Sequence, residues 1–221
     1  MIDFSIFTDA WPSLLSGFLL TVEIWLAGCA LAMAIGAPLG FLLAAGRRPT
    51  KALVRAYVEF FRGTPLLVQL FVLYYAGPSI GITLDALPAG IIGLGLYGGA
   101  YCTEIVCAGL EAIPPGQIGA ARAFGYSRSQ TLRHIVVPQM LVLVLPPLVN
   151  IAIFVLKDTA ILSIITVPEL TFQVTGLTLD TFAFVEPYLA LSVGYWVLVE
   201  LTASLGRRAE IRAARYLETS A

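Results

Sequence analysis

Long apolar runs constrain this chain more than any short motif does. Residues 15–45 carry a single charge, Glu23, with the hydroxyl of Thr21 beside it. A bilayer's hydrocarbon core takes about 20 helical residues, so this run is long enough to cross with tilt or overhang. Further apolar runs cover residues 89–107, 139–156 and 188–205, and a shorter one follows Pro65 to about Tyr75. The chain is 58% hydrophobic and 12% charged, roughly half the charged share of a soluble domain. A soluble fold would have to enclose these runs in one core with little polar surface to cover it. A net charge of -1 supplies no electrostatic case for a nucleic-acid partner.

The basic residues divide the chain into two sides. Arg47, Arg48, Lys51 and Arg55 follow the first run, Arg122, Arg128 and Arg133 follow the third, and Arg207, Arg208, Arg212 and Arg215 follow the last. Between them, the other side holds Asp3, Asp9, Asp85, Glu169, Asp180 and Glu186, without a lysine or arginine. Positive charge collects on the cytoplasmic side of membrane proteins. Five crossings satisfy that rule, whereas an even number would strand one terminal group on the wrong side. The expectation is an all-α integral membrane protein of five transmembrane helices, amino terminus outside and carboxyl terminus cytoplasmic. Residues 1–14 form an external segment lying at the membrane surface, 15–205 the membrane domain, and 206–221 a cytoplasmic tail. The first ten residues lack the basic start of a signal peptide, so the first crossing is expected to stay as an anchor. Cys29, Cys102 and Cys107 fit neither a disulfide framework nor a metal pattern; they read as small buried apolar groups. No metal site and no catalytic residue are expected.

Inside the runs, Gly28, Gly36 and Gly40, then Gly93, Gly95, Gly98 and Gly99, offer close-packing surfaces of the kind that membrane helices use. Pro65 removes a backbone donor and should bend or open the second crossing. A break at membrane depth must be covered by protein or line a wet path. Gln69, Tyr75, Asn150 and Thr159 are candidate polar groups along such a path. Arg62, Glu104, Lys157 and Asp158 are candidates for a network that joins helices or gates them, because ionisable groups near a membrane need partners or water. Glu23 reads as an interfacial carboxylate. Residues 159–167 are too short for a crossing and read as partly inserted or interfacial, and 168–187 as an external linker.

The stretch 119–138 is different in kind: compact, basic and rich in small residues. Two short helices are expected around Gly125, with Ser127 capping the second through an amide hydrogen bond from Gln130. Ala120, Ala121 and Gly125 would expose backbone at close range. Phe124, Tyr126 and Leu132 would supply apolar contacts, and Arg122, Arg128 and Arg133 charged ones. By residue chemistry alone it is either a docking surface for a cytoplasmic partner or an ordinary amphipathic loop.

Ala120, Ala121, Gly125, Ile135 and Pro138 resemble the cytoplasmic coupling motif of permease subunits of bacterial ATP-driven importers. Val137 replaces that motif's leucine, and Gly119 stands where its glutamate is usual, so a salt bridge through that carboxylate cannot form here. The run Phe61-Arg62-Gly63-Thr64-Pro65-Leu66-Leu67-Val68-Gln69 looks like the second-helix signature of the polar amino-acid permeases of histidine and glutamine type. Tyr101, Glu104 and Ile105, Pro138-Gln139, and Leu156-Lys157-Asp158-Thr159 extend the likeness, while Cys107 departs from it where arginine is frequent.

The resemblance implies the type I permease fold of ABC importers in the bacterial cytoplasmic (inner) membrane. It implies a second permease, identical or related, two cytoplasmic ATPase subunits, and an external or periplasmic solute-binding protein, besides membrane lipid. Residues 115–134 would be the coupling helices, with Gly119, Ala120, Ala121, Arg122, Gly125, Arg128, Ile135 and Pro138 as coupling residues. The chain has no GxxxxGK[ST] phosphate loop, so ATP and Mg would be bound by the partner ATPase and no cofactor by this chain. An autonomous channel or ion-coupled transporter, or a membrane scaffold, are the readings that compete with it.

Overall fold

A computed structural model of the chain describes residues 5–219, with side chains to Arg215. Asp3, in the expected external segment, and the last two residues of the expected tail lie outside the described residues. All regular elements among the described residues are helical.

Helix α1 (Ile6–Ala45) is a single helix of 40 residues, about 60 Å at ~1.5 Å per residue. The expected surface segment is therefore no separate piece: from Ile6 on it is the first turns of α1, with Pro12 inside the helix. The buried face of α1 reads Gly17, Thr21, Ile24, Gly28, Ala32, Gly36 and Gly40. These residues recur every three or four positions and so form one stripe. Against that stripe lies α4 (Ala86–Glu111), the most enclosed helix of the fold. A Cβ at Gly36 would sit 2.8 Å from the Gly99 carbonyl oxygen, and one at Gly40 would sit 2.8 Å from that of Thr103. From the other side, Gly95 receives Leu31, and a Cβ at Gly98 would meet that of Ala32 at 3.1 Å. The glycines on both helices thus form a close-packed seam.

Between them, α2 (Arg48–Gly63) makes a helix of the basic stretch that follows the first apolar run. Arg48, Lys51, Arg55, Glu59 and Arg62 recur at helical spacing, and Val54 and Val58 along one flank of that stripe are buried. It is an amphipathic helix anchored by Tyr57, whose hydroxyl donates to Leu96 O at 2.6 Å, and by Lys51, whose ammonium donates to Ala44 O at 2.8 Å. The chain then bends by 102° at Thr64–Pro65. It continues as α3 (Leu66–Phe71), a π turn Val72–Ala76 and a 3-10 turn Gly77–Ile80. Pro65 does break this segment, which is a bent pair of helices where one crossing helix was expected.

After α4 come α5 (Pro115–Ala123), α6 (Arg128–Thr131) and a π turn Leu132–Val136 that runs into α7 (Val137–Asp158). The 3-10 segment Thr159–Ile165 folds inward: Thr159, Leu162 and Ile165 are buried, and Leu162 and Ile165 join the main apolar cluster with Ile24, Leu70 and Leu94. Protein therefore covers this face of the segment, while Ile164 is exposed. The expected linker is also corrected: α8 (Leu170–Thr181) occupies most of it, packed on α1 and α9 (Val185–Thr219). Among the described residues four helical spans are long and apolar enough to cross a bilayer, and the bent pair is a fifth candidate.

The seam predicts a contrast between glycines. Gly36→Val must push α1 from α4 against backbone, an overpacking cost of about 1–3 kcal/mol. It is expected to lower both membrane abundance and the melting temperature in detergent. Gly116→Ala, whose added Cβ meets nothing within 4 Å, is expected to leave both unchanged. Equal melting temperatures for the two variants would sink the seam.

Candidate functional site

Two groups of residues stand out, one beyond the end of α4 and one beside its middle. The first is a hairpin. Ile113 is buried where α4 ends, and Pro115 opens α5 at a first-turn position, where its missing N–H is no loss. Gly125 closes it with φ +85°. The Tyr126 N–H donates to Ala121 O at 3.1 Å and the Gly125 N–H to Arg122 O at 3.0 Å, the paired bonds of a Schellman ending. Ser127 begins the next helix one residue later. Its Oγ accepts from the Gln130 N–H at 3.3 Å, and its own N–H donates to Gln130 Oε1 at 2.8 Å, a reciprocal capping box. The expected Ser127 cap is present, with Gln130 supplying the return bond.

Both ends of the hairpin are tied to long helices. Gln139 on α7 donates through Nε2 to Gln117 Oε1 on α5 at 2.6 Å and to Ile135 O at 2.9 Å. Neither Gln117 nor Gln139 was singled out as a coupling residue from sequence. Pro138 lies in the first turn of α7 behind the π turn. Phe124 is 84% exposed at the tip, and Tyr126 and Leu132 are exposed beside it. Gly119, Ala120, Arg122, Gly125, Arg128 and Arg133 are exposed as well, while Ile135 and Pro138 are half-buried. Ala121 differs from expectation: at 6% exposure it belongs to the inside of the hairpin.

The second group surrounds Tyr101. Arg62, at the end of α2, forms an ion pair with Glu104 of α4, both side chains being partly exposed, and its guanidinium stands 5.0 Å above the Tyr101 ring. The Tyr97 and Tyr101 hydroxyls are 3.3 Å apart, and both rings pack on Phe154 of α7 with centroids 6.0 and 5.8 Å away. Of the expected network, Arg62 and Glu104 therefore meet. Lys157 and Asp158 make no ion pair with them among the described residues; Asp158 lies within electrostatic reach of Tyr97. The aromatic bridge through Phe154 was not foreseen.

The four path candidates do not converge. Gln69 splints the Pro65 break: its Nε2 donates to Phe61 O at 2.8 Å and to Thr64 O at 3.0 Å, the carbonyls that the break frees. Its Oε1 is buried without a protein donor. Tyr75 is exposed and donates to Ile164 O at 3.3 Å, and Asn150 lies on an exposed face of α7. Thr159 is fully buried and bonded to Leu156 O and the Tyr195 hydroxyl. Enclosure removes it from any open path in this chain. Glu169 was read as an external linker charge; it is fully buried and caps α8 through the Thr171 and Phe172 N–H groups, both at 2.9 Å. The available signal was the buried spacing Leu170, Val174 and Thr178 that follows it.

Comparison with known proteins bears on what these groups serve. A family model described as "Binding-protein-dependent transport system inner membrane component" matches residues 36–213. The L-cystine transport system permease protein TcyB of Bacillus subtilis (strain 168) is 33% identical over 214 residues, covering 94% of this chain and 89% of its own. The probable glutamine ABC transporter permease protein GlnP of the same organism is 35% identical over 199 residues, covering 89% and 91%. The crystal structure of an amino acid ABC transporter with histidines superposes with a TM-score of 0.88 at 31% identity, covering 96% of this chain and 99% of that one. An inward-facing structure of the MetNI methionine ABC transporter matches with a TM-score of 0.80 over 93% and 98%, and at 21% identity it bears on the fold alone.

The capping box yields a local prediction. Ser127→Ala removes a cap worth about 1 kcal/mol, so amide exchange over 127–131 is expected to speed up roughly fivefold while exchange in α5 is unchanged. Mass-spectrometric hydrogen exchange reads both; unchanged protection over 127–131 would mean that tertiary contacts, and not the cap, hold this turn.

Proposed function

The chain belongs to the family of binding-protein-dependent transport system inner membrane components, and from that membership we propose how it works as the permease of an ATP-driven importer of polar amino acids. It is a multi-pass, all-α inner-membrane protein and not itself an enzyme. Four long helices and the bent pair α2–α3 make five crossings, with the amino terminus outside and the carboxyl terminus cytoplasmic. Residues 1–14 start outside, 15–205 form the membrane domain and 206–221 the cytoplasmic tail. The hairpin 115–134 then lies on the cytoplasmic side, with the charged stripe of α2 and the arginines that end α9.

The observation that carries this reading is the hairpin: a turn built by two interlocking caps that nevertheless presents Phe124 almost wholly to solvent. A large exposed aromatic on a rigid turn is the usual anchor of a protein interface. The partner is a separate ATPase that binds ATP and Mg, two copies per complex, beneath a pair of permeases. Gly119, Ala120, Arg122, Gly125 and Arg128 surround the anchor; Ala121, Ile135 and Pro138 hold the hairpin's shape behind it. A solute-binding protein delivers substrate from outside.

Arg62 and Glu104, bridged to α7 by Tyr101 and Phe154, form with Asp158 and Lys157 the gating network between α2, α4 and α7. Its groups change partners as the permease alternates its access. Gln69, with an unpaired acceptor, and Tyr75 and Asn150, with exposed side chains, remain on the proposed path. The substrate is a polar amino acid or a related small zwitterion, since relatives are named for cystine and glutamine. A channel, an ion-coupled carrier or a scaffold has no use for an ATPase-docking hairpin and does not account for the family match.

Affinity purification in mild detergent is expected to bring down an ATPase bearing a phosphate loop. Phe124→Ala removes an aromatic whose burial is worth about 2 kcal/mol, and is expected to weaken ATPase association roughly thirtyfold at unchanged membrane abundance. Full retention of the ATPase by that variant would refute the docking assignment. A Cβ at position 119 meets nothing within 4 Å, so Gly119→Glu is expected to insert normally. Any change that it makes in ATP turnover then reports on the docking surface rather than on folding.

A further inference from the structure

Glu169 serves neither the hairpin nor the ion pair at Arg62, yet it is the centre of the most extensive buried polar network in the described chain. Its Oε1 accepts from the Phe172 N–H and its Oε2 from the Thr171 N–H. The Tyr195 hydroxyl of α9 donates to Oε2 at 3.2 Å. Thr21 of α1 has its Oγ1 3.4 Å from the same oxygen and accepts from the Leu170 N–H at 3.1 Å. Thr171 Oγ1 stands 3.3 Å from the Tyr195 hydroxyl. One further bond leaves this node: Thr159 Oγ1 stands 3.2 Å from the Tyr195 oxygen and 2.7 Å from Leu156 O, and its single proton is shared between these two acceptors.

Thr159 is the residue after Asp158 and the first of the 3-10 segment Thr159–Ile165. The far end of that segment is braced too, because Ile164 O accepts from Tyr75, in the π turn beyond the Pro65 break. The segment thus bridges the end of α7 and the broken crossing, and its start is held by the node. A buried carboxylate is a costly way to pack a helix, since apolar side chains of similar volume would hold α8 without desolvating a charge. What such a network does supply is one fixed geometry among directional partners.

We infer that Glu169 and Tyr195 are positioning residues of the transport cycle: through the Tyr195–Thr159 hydrogen bond they fix the Lys157–Asp158 end of α7. The inference rests on the gating role proposed above for Asp158. Loosening the bond lets that end of α7 drift while the ATPase still docks and turns over, so the loss falls on coupling rather than on assembly.

The test uses the complete complex, this chain with its co-purifying subunits and solute-binding protein, in proteoliposomes. A uniformly labelled mixture of the twenty L-amino acids is supplied, and label taken up is divided by ATP hydrolysed. Tyr195→Phe deletes one hydroxyl and leaves the amide cap of α8 in place. Its abundance and melting temperature are expected to match the native chain, with uptake per ATP reduced at least threefold. A purely structural role would lower uptake and ATP turnover together and leave their ratio unchanged, which overturns the inference. Thr159→Val cuts the same bond from its other end and carries the test if Tyr195→Phe does not assemble. Asp158→Asn separates the two levels. An unchanged ratio in that variant overturns the gate and the inference with it. A reduced ratio there, beside unchanged ratios in Tyr195→Phe and Thr159→Val, overturns the positioning role alone.

Discussion

The close approach of α1 and α4 is the contact on which the remaining geometry depends. Lipid tails are as apolar as leucine, so membrane helices gain little from hiding apolar side chains and must gain from packing itself. Gly36 and Gly40 bring α1 to the backbone of Gly99 and Thr103, while Gly95 and Gly98 let Leu31 and Ala32 into α4. Glycine is a poor helix former, but its cost is repaid where two backbones meet. With α4 fixed in this way, its residues Tyr97, Tyr101 and Glu104 are presented to α2 and α7, and its end delivers the hairpin.

Three departures from regular helix have their polar groups accounted for in a specific way. The carbonyls freed before Pro65 receive the Gln69 amide, and the α5 carbonyls receive the N–H groups of Gly125 and Tyr126. The first amides of α8 are received by Glu169. For the Pro65 break such partners matter most, because irregular backbone at membrane depth must be covered by protein or line a wet path. Among the described residues Gln69 Oε1 stands apart as a buried side-chain acceptor without a protein donor. It lies at the break itself, the place along the proposed path where a spare acceptor is of use to a solute or water.

Sequence reveals those features that depend on neighbours in the chain. The glycine stripes, the Pro65 break and the Ser127 cap were legible because each follows from spacing or from one residue's backbone chemistry. The charged stripe at 48, 51, 55, 59 and 62 was equally local, yet reading it as a cluster of charges hid its helical period. Glu169 was not legible in that way. Its burial depends on Thr21, some 150 positions earlier in the chain, and on Tyr195 of α9, and a carboxylate between prolines reads as solvent-exposed loop until those partners are in place. The aromatic bridge failed for the same reason: Tyr101 and Phe154 meet only once α4 and α7 are packed.

The hairpin and the residues of the proposed gating network are joined by continuous helices, which is what transmission of force between them requires. From the hairpin the chain leaves along two helices only. On one side Ile113 is buried at the end of α4; on the other, Gln139 clamps α7 to Gln117. Just above, Val106 of α4 packs with Met140 and Val144 of α7, and Gly109 gives these last two room to approach. Further along the same two helices stand Tyr101 and Glu104 on one and Phe154 and Asp158 on the other. On the proposed reading, a docked ATPase that displaces the hairpin meets a Gly125 turn capped at both of its helix ends. The displacement is then passed to α4 and α7, first at the Val106–Met140–Val144 contact and beyond it at the Phe154 ring and the tyrosines that carry Arg62.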